Sequence, residues 1–424
     1  MEYYQLVDIY KPRELADIIR ANLTERPGVL LHGARQTGKT TLAKHIARMA
    51  HSDQYLTLTD DSVLAAIRTD PPAFFKRARG LVVLDDVQLA PDLFPAIQAE
   101  VDSHPIPGRF LLIGAGNILP NPWSSESPAE RKIEILTLHP LSQGEIEAVH
   151  ESFIDALFAG TLSPADGCND LIARILRGGY PSALERPDPE SRRAWLDPYL
   201  AILDRDIRRL SHIDAPASLP RLLAVIAART AGLLNFMDLA RGSGIPQTTL
   251  KRYFALLETM FLARLVPAWA SDSGQRLIKA PKLYLNDTGL ASRLLDLDEE
   301  RLERDASLKA ALLENFVAME LEKQAGWIGA GLTLSHFRTA AGQKVDFVLE
   351  DEAGDIVGVE VKAGGAVSDR DFNGLRALAD LAGPHFRNGI VLHTGSARDS
   401  FGLRLRELRA APVSALWQSH AGGA

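Results

Sequence analysis

The sequence predicts an α/β protein that begins with a doubly wound parallel sheet carrying helices on both faces. Three observations predict it: a glycine-rich loop between an apolar and a helical run, five short strand-like runs that alternate with helical or loop segments, and two acidic residues after the third run. Such alternation is typical of parallel sheets. A helical middle segment and a second, smaller α/β region follow in the rest of the chain.

The glycine-rich loop, residues 33–40, has the spacing G-x-x-x-x-G-K-T that predicts a phosphate-binding loop. Its backbone N–H groups and the amino end of the next helix would bind nucleotide phosphates. We expect Lys39 to neutralise the β- and γ-phosphates and the Thr40 hydroxyl to bind Mg²⁺. The alternative is a glycine-rich turn that binds nothing. The predicted ligands are ATP and Mg²⁺, held by Gly33, Ala34, Arg35, Gln36, Thr37, Gly38, Lys39, Thr40 and Thr41.

Two carboxylates, Asp85 and Asp86, follow the apolar run 81–84. A continuous apolar run of this length suits a parallel strand buried on both faces, and open α/β sheets bind ligands at the carboxyl ends of their strands. We expect Asp85 to hold Mg²⁺ through water, and Asp86 to orient or deprotonate the attacking water. Asp86 could instead be a turn residue at the strand end.

The predicted strands follow an amphipathic helix at residues 13–22 and are residues 28–32, 55–58, 81–85, 109–113 and 133–138. The second of them lies between the phosphate loop and the acidic strand, as in P-loop ATPases that insert an extra strand there. A polar residue just past the fourth strand usually senses the γ-phosphate or the attacking water. Asn117 is the candidate for this role, and a plain loop residue is the alternative.

The composition is that of a globular protein, with 46% hydrophobic and 24% charged residues. A chain of 424 residues is expected to form two or three domains. No apolar stretch approaches the ~20 residues that span a bilayer, and the start of the chain does not resemble a signal peptide. The single cysteine, Cys168, excludes an internal disulfide and a cysteine-based zinc site. We therefore expect a cytoplasmic protein.

The formal net charge of −7 is unevenly distributed. Residues 186–282 hold 15 Lys plus Arg against 9 Asp plus Glu, so this segment is positive while the rest of the chain is strongly negative. The overall charge argues against nucleic-acid binding, but a basic segment inside an acidic protein is typical of a localised binding surface. An ordinary arginine-rich helical domain is the alternative interpretation.

The basic segment contains a helix-turn-helix pattern. Residues 235–241 and 246–260 predict two helices around the turn 242–244, and strand-like runs at 261–266 and 282–285 follow, the second of which could be the wing of a winged helix. In such a motif the early residues of the second helix face the major groove of DNA. The candidate DNA contacts are Gln247, Thr248, Lys251 and Arg252. Winged helices also serve as protein-interaction or ATPase-lid modules.

The last segment predicts a helix at 308–325 and a hairpin of residues 344–349 and 356–362. Glu360 and Lys362 are two apart on a strand and therefore point to one face, which Asp346 can reach from the paired strand. This is the spacing of the PD-(D/E)xK nuclease core, in which two carboxylates hold a divalent metal and the lysine activates water. Glu314 or Glu320 could complete the site. The alternative is a surface hairpin with a cross-strand charge pair.

Taken together, these strings resemble a family of prokaryotic AAA+ ATPases with a C-terminal domain of unknown function of restriction-endonuclease-like type. The resemblance covers nearly the whole chain, and residues 279–290 carry it most specifically. The other matching strings are residues 33–40, 81–86, 205–206, 314–317, 345–346 and 360–362.

The resemblance implies four domains: a P-loop AAA+ domain at 1–150, a helical lid at 151–215, a winged helix at 216–295 and a nuclease-like domain at 296–424. It also implies a homo-oligomer in which Arg131 reaches the nucleotide of a neighbouring subunit; a surface arginine is the alternative. The sequence departs from the family where Asp86 replaces glutamate and where Ile113 and Ala115 replace hydroxyl residues. Both departures predict slow hydrolysis without loss of nucleotide binding.

The resulting hypothesis is an ATP-hydrolysing AAA+ protein that acts on DNA through a winged helix and a nuclease-like domain. The rival hypothesis is a nucleotide-dependent oligomeric switch that binds protein partners and carries an inactive nuclease-like domain. The intact set of Asp346, Glu360 and Lys362 favours the first, and the low overall pI favours the second.

Overall fold

A computed structural model describes residues 10–52, 54–116, 123, 130–211, 219–269, 277–329, 331–395 and 408–418. The chain divides into two compact units, residues 1–149 and 150–424. The subdivision of the second unit into three domains stays a prediction. Within the described ranges, every helix is too short or too polar to cross a membrane.

The first unit contains a five-stranded sheet in which every strand pair is parallel, as predicted. The order of the strands is β2-β3-β4-β1-β5, so the inserted strand β2 forms the edge beside β3. The sheet register aligns the carboxyl ends of the strands at one edge of the sheet. The strands are β1 (Gly28–His32), β2 (Gln54–Thr57), β3 (Val82–Asp85), β4 (Phe110–Ile113) and β5 (Ile133–Thr137).

Helices connect these strands, and short polar side chains fix where two of the helices begin. The Asp60 carboxylate accepts the backbone N–H groups of Ser62 and Val63, and Asp70 accepts that of Ala73. The helices of the first unit are α1 (Leu15–Glu25), α2 (Lys39–Met49), α3 (Asp61–Thr69), α4 (Pro71–Arg77), α5 (Phe94–Ser103) and α6 (Gln143–Glu147), with 3-10 turns at Val87–Leu89 and Pro91–Leu93.

The strands β3 and β4 are buried along their whole length. Aromatic side chains pack the core around them: the rings of Phe75 and Phe110 meet edge to face at 5.6 Å between centroids, and so do those of Phe94 and Trp123. Close packing of this kind prevents the strands from sliding past one another. The residues that directly follow the strands are therefore held in fixed positions relative to one another.

The second unit begins with helices, as predicted from the change in sequence character. Gly178 and Gly179 break the helical run, and the long helix that follows contains an internal proline, Pro198. These helices are α7 (Phe153–Ala159), α8 (Leu171–Arg177), α9 (Pro181–Leu184), α10 (Pro189–Ser211) and α11 (Leu219–Ala227).

Two helices and a pair of strands occupy the predicted positions in the middle of this unit, and their identity as a winged helix stays a prediction. Helices α12 (Phe236–Ser243) and α13 (Gln247–Thr259) are joined through Gly244. Strands β6 (Ala263–Val266) and β7 (Lys282–Leu285) then pair antiparallel, and Leu233 forms a bridge with Lys282. Three more helices follow: α14 (Thr288–Leu294), α15 (Glu299–Arg304) and α16 (Ala306–Ile328).

A mixed five-stranded sheet ends the unit, in the order β12-β11-β10-β9-β8. Strand β9 pairs antiparallel with both β8 and β10, whereas β11 pairs parallel with both β10 and β12. The elements are β8 (Thr333–Arg338), β9 (Lys344–Glu350), β10 (Ile356–Lys362), α17 (Asn373–Ala382), β11 (Phe386–His393), β12 (Leu408–Pro412) and α18 (Ala415–Gln418), with 3-10 turns at Asp369–Phe372 and Gly383–His385.

The glycine turn after α8 packs directly against the start of α14. The buried Asp287 carboxylate accepts the N–H groups of Gly179 at 2.7 Å and Leu290 at 2.8 Å. A Cβ atom at Gly178 would lie 2.4 Å from Asp287 Oδ1, and one at Gly289 would lie 2.6 Å from the Arg177 carbonyl oxygen. The two segments therefore approach each other through positions without side chains.

We predict that Gly289→Ala lowers the free energy of unfolding of the second unit by about 1–3 kcal/mol, because its methyl group would force backbone atoms apart. The matched control is Gly326→Ala in α16, where a Cβ would meet no atom within 4 Å. That change should be neutral or stabilise by about 0.4–1 kcal/mol. Thermal unfolding followed by circular dichroism measures both. Equal melting temperatures for the two variants would contradict the close approach.

Candidate functional site

The phosphate loop lies between β1 and α2, as the sequence predicted. A Cβ atom at Gly33 would lie 2.3 Å from the carbonyl oxygen of Leu138, so the loop can pass the end of β5 only with glycine there. Helix α2 begins at Lys39, directly after Gly38, whose φ is 96°. The amino end of α2 thus opens onto the loop, which is the arrangement that binds phosphate groups.

Lys39 is the buried cation of this loop. Its Nζ donates to the carbonyl oxygens of Gly33 at 3.1 Å and Ala34 at 2.5 Å. Burial lowers the pKa of Lys39 to about 7, and the nearby Asp85 carboxylate offsets part of that effect. Phosphate oxygens beside Nζ would favour the charged ammonium in the same way.

Asp85 lies at the end of β3 and is almost fully buried. Its Oδ2 accepts the hydroxyl protons of Thr40 at 2.9 Å and Tyr55 at 2.5 Å, and its Oδ1 accepts the N–H of Asp86 at 3.0 Å. Thr40 and Asp85, the two predicted Mg²⁺ ligands, are therefore adjacent. Burial raises the pKa of Tyr55, and its hydrogen bond to Asp85 raises it further.

Asp86 has a left-handed backbone conformation, with φ of 63°. Its Oδ1 accepts a hydrogen bond from Gln88 Nε2 at 2.8 Å, and Gln88 Oε1 accepts the N–H of Ala115 at 3.0 Å. Gln88 therefore connects the predicted water-orienting carboxylate to the loop after β4. The candidate sensor in that loop, Asn117, lies outside the described residues.

A buried arginine, Arg13, fastens the phosphate loop to the end of the unit. Its guanidinium donates to the Thr37 carbonyl at 2.8 Å, the His139 carbonyl at 2.7 Å and Glu145 Oε1 at 2.9 Å. Glu145 is itself fixed by a capping box with Ser142. The loop is thus held from outside as well as by its own glycines.

Sequence reasoning missed Tyr55, Gln88 and Arg13. Each acts through a side-chain contact with a residue that is distant in the sequence or on another element, and none belongs to a recognisable motif. The only local signal was the position of Gln88, two residues after Asp86.

Arg131 lies just before the amino end of β5, and its guanidinium is 3.9 Å from Glu134. The register pairs Gly28 with Ile133 and His32 with Thr137, so Arg131 is at the edge of the sheet opposite the phosphate loop. Five strand residues separate the two edges by about 15 Å. Any role of Arg131 at a nucleotide therefore requires the nucleotide of another copy, and this role stays a prediction.

The C-terminal candidates are only partly brought together. Asp346 and Glu360 are neighbours on β9 and β10: Glu360 Oε2 accepts the N–H of Asp346 at 3.2 Å, and Asp346 Oδ2 accepts that of Val361 at 3.0 Å. Lys362 instead donates to Asp371. Within the part of the chain that the structure describes, no group of three or more His, Cys, Asp or Glu residues is arranged to hold a metal ion.

Two lysines outside the predicted set reach the acidic pair. Lys282 Nζ lies 2.8 Å from both Glu314 Oε1 and Asp346 Oδ1. Lys344 Nζ lies 2.8 Å from Asp346 Oδ1 and 2.9 Å from Glu360 Oε1. Of the two candidate helix acids, Glu314 therefore joins the site, whereas Glu320 forms an ion pair with Lys323.

These contacts have opposite effects on the two carboxyl groups. Burial alone would raise the pKa of Asp346, but the ammonium groups of Lys282 and Lys344 outweigh it and hold that pKa well below its usual range. Burial and the charge of Asp346 raise the pKa of Glu360 to about 8, and Lys344 offsets part of the shift. The lysines thus stabilise the ionised form of Asp346 more than that of Glu360.

The four candidate DNA contacts lie on the exposed side of α13, while Leu250, Tyr253 and Phe254 fill the buried side. Lys251 Nζ lies 5.6 Å from the ring centroid of Phe236 on α12. The outward residues are Gln247, Thr248, Lys251 and Arg252.

Comparison with known protein families finds three matches along the chain. Residues 25–147 match an AAA domain, residues 168–301 match a domain of unknown function (DUF8612), and residues 309–414 match another domain of unknown function (DUF4143). The AAA match confirms the predicted identity of the first unit. The nuclease-like character of the C-terminal region stays a prediction.

Among solved structures, the Walker-type ATPase PABY2304 of Pyrococcus abyssi is 16% identical, with a TM-score of 0.40, over 68% of this chain and 96% of that one. The AMPPCP-bound DnaA of Aquifex aeolicus is 12% identical, with a TM-score of 0.27, over 57% of this chain and 86% of that one. TM-scores below 0.5 do not establish a common fold.

Among curated proteins, the uncharacterized protein Rv2008c of Mycobacterium tuberculosis and the uncharacterized protein Mb2031c of Mycobacterium bovis are each 32% identical over 353 residues. The alignment covers 82% of this chain and 73% of either relative. The chain therefore belongs to the same family as these mycobacterial proteins, and its first unit is an AAA-type P-loop ATPase domain.

Proposed function

We propose that this protein is an ATP-hydrolysing, oligomeric AAA+ protein that acts on DNA. The nucleotide half of the proposal is carried by one observation: the Thr40 hydroxyl meets the buried Asp85 carboxylate at 2.9 Å beside the phosphate loop. The DNA half is supported by the exposed face of α13, which lies in the segment of positive net charge.

The residues at the strand end fit a Mg²⁺ ion. A hydroxyl and a carboxylate are the oxygen ligands that this hard cation prefers, and Thr40 and Asp85 present both at one place. Held there together with ATP, the ion would supply positive charge that offsets the negative charge of the phosphates. Lys39 would bind the β- and γ-phosphates, with the amino end of α2 behind them.

Asp86 is the proposed group that orients the attacking water and accepts its proton. Gln88 holds one oxygen of this carboxylate against the loop after β4, so the other oxygen can face the water. Because an aspartate is one methylene shorter than glutamate, we expect a low turnover number. Arg131 would complete the charge stabilisation from a neighbouring copy in the oligomer.

DNA would bind along α13. Its outward residues include two cations, Lys251 and Arg252, and two side chains that can hydrogen-bond base edges or phosphates, Gln247 and Thr248. The order of α11, α12, α13, β6 and β7 is compatible with a winged helix, in which the second helix of the turn enters the major groove. We assign the C-terminal sheet a nuclease-like fold, supported by the pairing of Asp346 with Glu360.

A second candidate function is a nucleotide-dependent switch that binds protein partners. The observation that favours it is the formal net charge of −7 with a pI of about 5.9, which works against binding to nucleic-acid phosphates. In that case α13 would bind a partner protein instead of DNA.

Nucleotide binding and hydrolysis should separate at two residues. Lys39→Ala should abolish ATP binding, because the phosphates lose their buried cation, whereas Asp86→Asn should leave binding intact and slow hydrolysis at least tenfold. Equilibrium binding of a fluorescent ATP analogue and phosphate release measure the two effects. Unchanged ATP affinity in Lys39→Ala would refute the site.

Gln88 should affect turnover without affecting binding. We expect Gln88→Ala to lower kcat about tenfold with KM unchanged, since the Asp86 carboxylate loses the amide that orients it. The matched control is Gln98→Ala, which removes a glutamine amide that binds Asp102 on the surface. Steady-state kinetics with both variants decide the matter; an equal kcat in the two would make Gln88 a structural residue only.

DNA binding should depend on the cations of α13. Lys251→Ala with Arg252→Ala should weaken binding of duplex DNA and reduce the salt dependence of log Kd by about 1–2, as expected for the loss of one or two phosphate contacts. The control is the exposed adjacent pair Lys76→Ala with Arg77→Ala on α4. Fluorescence anisotropy across a salt series measures both double variants. If the α13 variant binds like the α4 variant, the module binds proteins instead.

A further inference from the structure

The acidic pair of the C-terminal sheet, Asp346 and Glu360, already forms ion pairs with lysine side chains. Each of two lysines bridges two carboxylates: Lys282 joins Glu314 to Asp346, and Lys344 joins Asp346 to Glu360. All four distances are 2.8 or 2.9 Å. The two ammonium groups together supply the same charge as one divalent cation.

All four carboxylate oxygens of Asp346 and Glu360 already have donors or cations of the protein as partners. Asp346 Oδ1 accepts from both lysines and Oδ2 accepts the N–H of Val361. Glu360 Oε1 pairs with Lys344, and Oε2 accepts the N–H of Asp346. A divalent cation that bound this pair would therefore displace an ammonium group. The displaced lysine would then lose its ion pairs with the carboxylates. These residues do not fit the metal that a nuclease of this type requires.

The two lysines differ in how firmly they are held. Lys282 is a strand residue of β7, paired with Val266, and its side chain is only 5% exposed. Glu314, its second partner, also accepts the Tyr284 hydroxyl at 2.7 Å. The side chain of Lys344 is 42% exposed, so it can be shortened without opening a cavity in the core.

We propose that Lys282 and Lys344 take the place of a divalent cation between Glu314, Asp346 and Glu360, so that this site binds neither Mg²⁺ nor Mn²⁺ and does not cleave DNA. Its role is to fasten β7, which follows the helix-turn-helix, to helix α16 and the C-terminal sheet. The inference rests on the nuclease-like fold in the proposed function and removes the metal chemistry from it. It also explains what residues 279–290, the most specific string of the chain, do physically, because they bring Lys282 and Tyr284 to the acidic cluster.

The test is Mn²⁺ binding to the full chain without nucleotide, measured by electron paramagnetic resonance. All proteins carry Asp85→Ala, so that binding in the first unit does not contribute. The parent should bind no Mn²⁺ with a Kd below ~1 mM, an affinity of about −4 kcal/mol. Lys344→Ala should gain a single Mn²⁺ per chain, because Asp346 and Glu360 lose the cation between them. Lys344→Gln, which keeps most of the side-chain length, serves as a second variant.

Lys362→Ala is the matched control, since Lys362 pairs with Asp371 and, in the part of the chain that the structure describes, forms no ion pair with Glu314, Asp346 or Glu360. It should gain no Mn²⁺. Adding Asp346→Ala to Lys344→Ala should remove the gained site. Two results would overturn the proposal: Mn²⁺ bound by the parent and lost with Asp346→Ala, or no gain in either folded Lys344 variant. ATP hydrolysis and duplex binding, measured on proteins with Asp85 intact, test the proposed function separately.

Discussion

The buried charge of Asp85 is the constraint on which the nucleotide site depends. A carboxylate can be buried only if hydrogen-bond donors surround it, and here the donors come from three different elements. Thr40 comes from α2, Tyr55 from the edge strand β2, and the N–H of Asp86 from the chain after β3. Satisfying one charge therefore fixes the phosphate-loop helix, the inserted strand and the water-orienting residue relative to one another.

The strands and the phosphate loop could be predicted because each depends on a pattern of residues that are close together in the sequence. Apolar runs located the strands of the parallel sheet to within one residue at each end. The spacing G-x-x-x-x-G-K-T located the loop that lies at the end of β1. The alternation of side chains along a strand correctly placed Asp346 beside Glu360. It also placed Lys362 on the same face, yet Asp371 from the following 3-10 turn captures that lysine. Periodicity predicts the face of a strand but not the partner that a long side chain finds there.

Several of the residues that sequence reasoning could not find act across large sequence separations. Arg13 reaches Glu145, and Lys282 reaches Asp346. Neither pair has a spacing that identifies it, because the contact exists only once the strands are in register. The sites around Asp85 and Asp346 show that such partners determine whether a buried carboxylate can bind a further cation. Asp85 is satisfied mainly by neutral hydroxyl and N–H donors, which leave its negative charge available to a cation, whereas Asp346 is matched by ammonium groups.

The contact between Gly178, Asp287 and Gly289 also limits how the family can diverge. A side chain at either glycine would collide with the facing segment, and the loss of the Asp287 carboxylate would leave the N–H of Gly179 without its acceptor. Substitutions tolerated at one of these positions in isolation should therefore be few. The two segments lie more than a hundred residues apart along the chain. We nevertheless expect them to evolve together, because a replacement on one segment is acceptable only with a compensating replacement on the other.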